Sequence, residues 1–187
     1  MSDDSGKKYD DLLFAVRRSI RYHNRRRKVF DFSHKLSTGI TIFGGTAVFF
    51  SILSKAKDPW PLVFSAIIAI VAIFDLVINS PQAARFHHDL ARKYFEIEKD
   101  MVKRYEDKES LLPEWTAKRL DIEAEEPPVL HVLNAICHNE LCRAIGCDND
   151  DLVKIGFFQR IFRHFFDIRE HKLKRYRDIT KDSEDKN

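Results

Sequence analysis

The chain has 187 residues, 44% of them hydrophobic and 33% charged, with 32 Lys and Arg against 29 Asp and Glu. So small a positive excess makes nucleic acid a poor partner, because such binders must neutralise many phosphates. The charge is unevenly spread: residues 36–53 and 60–78 together hold a single ionisable side chain, Asp75, and the flanks hold the rest.

Residues 1–35 read as a basic helix. Leu13, Val16, Ile20, His23, Arg27 and Phe30 recur at alternating three and four residues, a heptad-like stripe that turns basic towards residue 35 and runs almost unbroken into the first apolar block. Arg25, Arg26, Arg27 and Lys28 suit an anionic lipid surface, where each charge contributes ~1 kcal/mol. The sharper alternative for that run is a site for an anionic ligand such as a nucleotide.

Residues 36–53 and 60–78 are each about as long as a helix needs to cross the ~30 Å hydrocarbon core of a bilayer. The polar stretch SKAKDP between them is too short for anything but a hairpin loop. A transmembrane hairpin is therefore predicted, in an all-α membrane protein whose long cytoplasmic helices form a stalk or bundle. The first block begins behind a long charged segment, so a cleavable signal peptide is not expected. Lys and Arg cluster before the first block and after the second, which places both termini in the cytoplasm of an inner, multi-pass membrane protein. Trp60 anchors at the outer interface, with Pro59 at a helix start. No disulfide framework is expected of Cys137, Cys142 and Cys147 on the cytoplasmic side.

Small residues mark the helix-packing faces. Ser37, Thr41 and Gly45 fall four apart, with Thr38 and Gly44 beside them, and Ser65, Ala69 and Ala72 answer on the second helix. Such spacing lets backbones approach closely within the hairpin or between neighbouring chains. An ionised carboxylate at mid-bilayer costs about 2.5 to 3.5 kcal/mol. Asp75 lies near the cytoplasmic end, level with Thr38 and a turn from His34 and Lys35, and a hydrogen bond or ion pair is expected there. The alternative role for these four residues is a pore-lining or proton-sensitive group.

Residues 79–149 form a second cytoplasmic helical region. Asn79, Ser80 and Pro81 look like a helix restart, and Ala83, Phe86, Leu90, Tyr94, Ile97, Met101 and Tyr105 hold a three-and-four spacing behind it. His87 and His88 read as ordinary exposed histidines. A charged helix ending in Glu123, Glu125 and Glu126 stops at Pro127 and Pro128, and those glutamates read as solvated or arginine-paired. A short helix over residues 129–145 follows, with Gly146 as its C-cap. His131, Cys137, His138 and Cys142 lack the spacing of a closed zinc site, and adjacent Cys137 and His138 point apart on a helix. No metal and no cofactor is predicted.

Residues 150–177 read as one amphipathic helix in which Phe158, Phe162, Phe165 and Phe166 interleave with cations. It lies on the membrane or packs against the stalk. Residues 178–187 read as a disordered tail.

No phosphate loop, nucleophile motif or strand-period segment occurs, so an enzyme is not expected. The stretch RYHNRRRKVFDFSHKL, the short-looped hairpin and SPQAARFHHDLARKYFEIEKDM resemble the SLATT family of bacterial two-transmembrane proteins over roughly residues 9–140. That resemblance implies a membrane effector of a bacterial conflict or phage-defence system, pore-forming or membrane-perturbing, whose partners are a second copy of the chain and a cytoplasmic sensor protein or nucleotide signal. A single hairpin encloses no pore, so this role requires a homo-oligomer in the lipid bilayer. The alternative is a non-conducting scaffold that anchors a cytoplasmic partner.

Overall fold

The computed structural model describes residues 2–53, 59–164 and 173–178. They form six α-helices, namely α1 (Ser2–Leu53), α2 (Trp60–Ile78), α3 (Ser80–Lys103), α4 (Lys108–Glu125), α5 (His131–Ile145) and α6 (Phe157–Phe162), with 3-10 turns at Tyr105–Asp107 and Asn149–Asp151. Among the described residues the only β pairing is an isolated antiparallel bridge between Val153 and Arg175. The protein is all-α. It divides into two compact units, one of Met1–Asn24 with Asp89–Asn187 and one of Arg25–His88.

The first unit is a helical bundle. Tyr9, Leu12, Val16 and Ile20 of α1 recur at three and four residues and meet Leu90, Tyr94, Ile97 and Met101 of α3, with Leu111, Trp115 and Ile122 of α4 closing the core. The Tyr9 hydroxyl donates to the Met101 carbonyl at 3.1 Å, and Arg17 pairs with Glu98 at 2.6 Å. Rising numbers on α1 thus match falling numbers on α3, so these two segments run antiparallel. A stripe of this period buries one face and leaves the other polar, as both segments do.

Local chemistry sets the helix ends. Glu126 is extended, as a residue before proline must be, and Pro127 and Pro128 stop α4. Gly146 closes α5 in the left-handed region at φ 81°, donating its amide to the Cys142 carbonyl at 3.0 Å, where any side chain would be strained.

The second unit pairs the rest of α1 with α2 and the start of α3. Ser37 is buried and Gly44 and Val48 are half-buried on α1, as are Ser65, Ile68 and Asp75 on α2, while the remaining faces are exposed and apolar. No residue of α2 is buried. Asn79 alone separates α2 from α3, at φ 51° in the left-handed conformation that asparagine tolerates better than most residues.

The stripe on α3 differs from expectation over its first turns. Ala84 and His87 are buried where Ala83 and Phe86 were expected to be, and Phe86 faces out. The inward stripe continues as Leu90, Tyr94, Ile97 and Met101, whereas Tyr105 is exposed. The single helix expected over residues 150–177 is replaced by the Asn149–Asp151 turn, an extended stretch and the six-residue α6. Gly156 is the reason: it sits at the N-cap of α6 in an extended conformation, its amide donating to the Gln159 side chain at 2.8 Å. Phe165 and Phe166, and residues 179–187 of the tail expected from 178, lie outside the described residues, and Asp178 itself lies in a helical turn.

Candidate functional site

The hairpin unit carries a polar cluster at one end of its apolar surface. His34 Nδ1 and Asp75 Oδ2 are 3.0 Å apart. The expected partner of Asp75 is therefore His34, while Lys35 and Thr38 are exposed. Asp75 Oδ1 is buried without a hydrogen bond, and the equally buried and unbonded Ser80 hydroxyl is close enough to act on the carboxylate. Ser37, one turn from His34, is buried, and its carbonyl accepts from the Thr41 hydroxyl at 2.9 Å. His34 and Asp75 join α1 to α2 through a single shared proton, which suits a surface where few other polar groups occur.

Of the glycines of α1, Gly44 is the one that α2 approaches closely. A Cβ there would lie 2.5 Å from Ile68 Cδ1 and 2.9 Å from Ile68 Cγ1, whereas Gly45 has open space. Gly45, Thr38, Thr41 and Ala69 are exposed, so of the small residues that the sequence marks for packing those buried or half-buried are Ser37, Gly44, Ser65 and Ala72. Gly44→Leu is expected to destabilise the hairpin by about 2 kcal/mol, as overpacking does, and Gly45→Leu by less than about 0.5 kcal/mol. Cysteine cross-linking between residues 48 and 65 in each background reads the difference; equal yields would refute it.

The basic run of α1 is partly engaged. The Arg26 guanidinium lies 4.7 Å from the centre of the Phe30 ring, and Arg27 pairs with Asp31 at 3.5 Å and with His88 at 3.0 Å. Arg25 is half-buried and Lys28 exposed. His87 corrects the expectation of an exposed histidine: it is buried and stacks on Phe30 at 5.7 Å, with 10° between the rings.

The bundle unit holds a second polar cluster. Glu126, expected to be solvated, is nearly buried at 9% side-chain exposure and takes two bonds on Oε1, from Tyr94 Oη at 2.6 Å and His23 Nε2 at 3.0 Å. The His23 and Tyr94 rings stack at 5.8 Å. Burial, reinforced by the bond to Glu126, raises the Tyr94 phenol above its ordinary value, so Tyr94 donates its proton to the carboxylate. An ionised carboxylate only accepts, so His23 Nε2 carries a proton too. His23 is fully buried, and this cluster joins α1, α3 and the end of α4. The neighbouring glutamates behave as expected: Glu123 lies 3.4 Å from Arg119, and Glu125 pairs with Lys93 at 2.5 Å.

A thiol and an imidazole meet on α5. His138 Nε2 lies 3.4 Å from Cys142 Sγ, one helical turn on, and 3.1 Å from the Asp151 carbonyl. The four-residue spacing was the available signal for this pair. It does not make a nucleophile, because burial and then Cys147 push the Cys142 thiol up to about 12. Cys137 and Cys142 are buried free thiols and Cys147 is half-buried. Burial also lowers His138 below its ordinary 6.5. The unfolded chain therefore takes up its proton first as pH falls, so stability present above about pH 6.5 is lost on acidification until the native imidazole titrates as well. Urea midpoints at pH 7.5 and 5.5 are expected to differ less in His138→Gln than in the unaltered protein; equal differences would remove His138 from the account.

Phe158 and Phe162 of α6 are exposed, as are Phe157 and Ile161. Among the described residues no cluster of three or more His, Cys, Asp or Glu could hold a metal ion.

Fold and clusters together define an all-α protein in which, among the described residues, one helix, beginning at Trp60, is long and apolar enough to cross a membrane. No family model matches the chain, and no curated protein and no solved structure is significantly similar to it.

Proposed function

We propose that residues 36–53 and 60–78 form a two-span transmembrane hairpin with both ends in the cytoplasm, and that the chain acts as an oligomeric membrane effector that forms a pore or perturbs the bilayer. The observation that carries this reading is the outward apolar surface of the hairpin unit. Phe43 is 80% exposed, Leu76 78% and Val77 77%, and Phe49, Phe50, Ile70 and Phe74 accompany them. Water tolerates no continuous surface of that kind on a monomer, and lipid covers it without cost. Lys and Arg on both flanks of the spans support the orientation. The resemblance to SLATT proteins supports an effector role in bacterial conflict or phage defence. One hairpin cannot enclose a channel, so the reading requires about four or more copies around a closed axis.

The test is resistance to alkaline extraction from membranes, followed by the intact mass of the purified protein in nanodiscs and ion flux from liposomes. Retention in the membrane, a closed assembly and flux are the expected results. A membrane-bound monomer or dimer without flux would replace the effector by a scaffold that anchors a cytoplasmic partner, and full extraction would overturn both.

A further inference from the structure

In the bundle unit a pocket of ≈270 Å³ is lined by Arg18, Ser19, Tyr22, Glu123, Glu126 and Asn134, together with the segment that enters α5. Its lining holds one guanidinium and two carboxylates, and both carboxylates have other partners. Glu123 lies against Arg119 at 3.4 Å, and Glu126 is held by His23 and Tyr94. Arg18 Nε is buried without a hydrogen bond, whereas Arg119 Nε faces Glu123. The two guanidinium groups act on each other, since burial and then Arg119 lower Arg18 from its ordinary value, with Glu123 opposing.

An idle donor on a buried cation costs free energy, and a hydrocarbon side chain of similar length would pack on α1 without that cost. The neutral groups around Arg18 suit an anion. Ser19 and Asn134 bring a hydroxyl and an amide into the same pocket. Leu130 at the N-cap of α5 has no side chain with which to cap the helix, so the pocket also borders the positive end of a fifteen-residue helix. Drug-sized ligands occupy about 300 to 1,000 Å³. A smaller pocket selects a small group.

We propose that this pocket is a binding site for a small oxyanion, a carboxylate or phosphate on a short skeleton, held bidentately by the Arg18 guanidinium with Asn134 as a further donor. The site lies within the bundle and does not depend on the membrane reading, so a water-soluble or monomeric protein would overturn that reading and leave this one standing.

The test uses the full chain in phosphate-free maltoside micelles, with melting followed by tryptophan fluorescence. Sodium phosphate and sodium acetate are compared with sodium chloride at equal ionic strength, and a second arm compares nanodiscs with and without phosphatidic acid. Phosphate or acetate is expected to raise the melting temperature by several degrees above the chloride control, and Arg18→Gln to abolish that rise. Without added anion Arg18→Gln is expected to melt no lower than the unaltered protein, because it removes an Nε donor that is buried without a hydrogen bond. Arg18→Lys keeps the charge but not the fork, and is expected to weaken binding about tenfold or more. An Arg18-dependent rise in the nanodisc arm alone would make the oxyanion a lipid headgroup, and one with the soluble salts would make it a free solute. No response beyond chloride in either arm, or a response that persists in Arg18→Gln, would overturn the site.

Discussion

Trp115→Ala is expected to destabilise the bundle by about 4 kcal/mol, at the upper end of what deleting a buried aromatic costs. The indole is fully buried. It meets Tyr9 edge-on at 6.0 Å and donates its N–H to Asp100 Oδ2 at 2.8 Å, so α1, α3 and α4 share this one side chain. Alanine leaves a cavity that three helices cannot all close, and leaves Asp100 with only the more distant Arg104, at 3.8 Å. Trp115→Phe fills most of the space and loses the donor, which sets its cost at about 1 to 2 kcal/mol. Urea unfolding of both variants, read by far-UV circular dichroism, separates packing from hydrogen bonding. A Phe variant as unstable as the Ala variant would show that the N–H bond matters more than the cavity.

Glu126→Ala is expected to cost about 3 kcal/mol, because it strips an acceptor from two buried donors at once. His23 would lose its carboxylate in a fully buried position, and the Tyr94 hydroxyl would lose a 2.6 Å bond. Both bonds fall on Oε1, so the amide oxygen of Glu126→Gln can keep both and lose only the charge, and this variant is expected to lose less than half as much. The tyrosine gives an independent readout. With its carboxylate partner gone, the Tyr94 phenol is expected to titrate at lower pH than in the unaltered protein, though burial still holds it above the ordinary value, and ultraviolet difference spectra through the alkaline range follow it. An unchanged Tyr94 titration in Glu126→Ala would mean that burial alone sets it.

Much of the fold was legible because it rests on local signals. Val16 and Ile20 on α1, the stop at Pro127 and Pro128, the left-handed Gly146 and the junction at Asn79 each follow from residue type and spacing, whereas the α1 stripe begins inward at Leu12 and not at the expected Leu13, which is half-buried. What failed depended on phase or on distance along the chain. Choosing Phe86 over His87 was a hydrophobicity argument, and the helix turned its imidazole inward because Phe30 offered a ring to stack on. Gly45 and Gly44 are adjacent, and only the approach of Ile68 distinguishes them. His23 and Glu126 stand 103 positions apart, and no pattern within either helix announces their bond. The aromatic segment after residue 150 was extended through Gly156 by its phenylalanine spacing, although glycine in a helix interior disfavours that continuation by about 1 kcal/mol.

Asn139 shows that residues 152–154 belong to the bundle. Its side-chain amide donates to the Val153 carbonyl at 2.7 Å and accepts the Val153 amide at 2.8 Å, so one side chain imitates a neighbouring β-strand. On the other side Lys154 donates to the Lys174 carbonyl at 3.0 Å, Tyr176 donates to the Leu152 carbonyl at 3.0 Å, and Arg177 pairs with Asp151 at 2.7 Å. This stretch is thus a ribbon with a borrowed edge on one side and the returning chain on the other. Cutting the chain at residue 150 would leave the buried Asn139 amide facing water or nothing, and would uncover His138 and Cys142 beside it. A shortened protein meant to retain the bundle must keep the chain at least through Arg177.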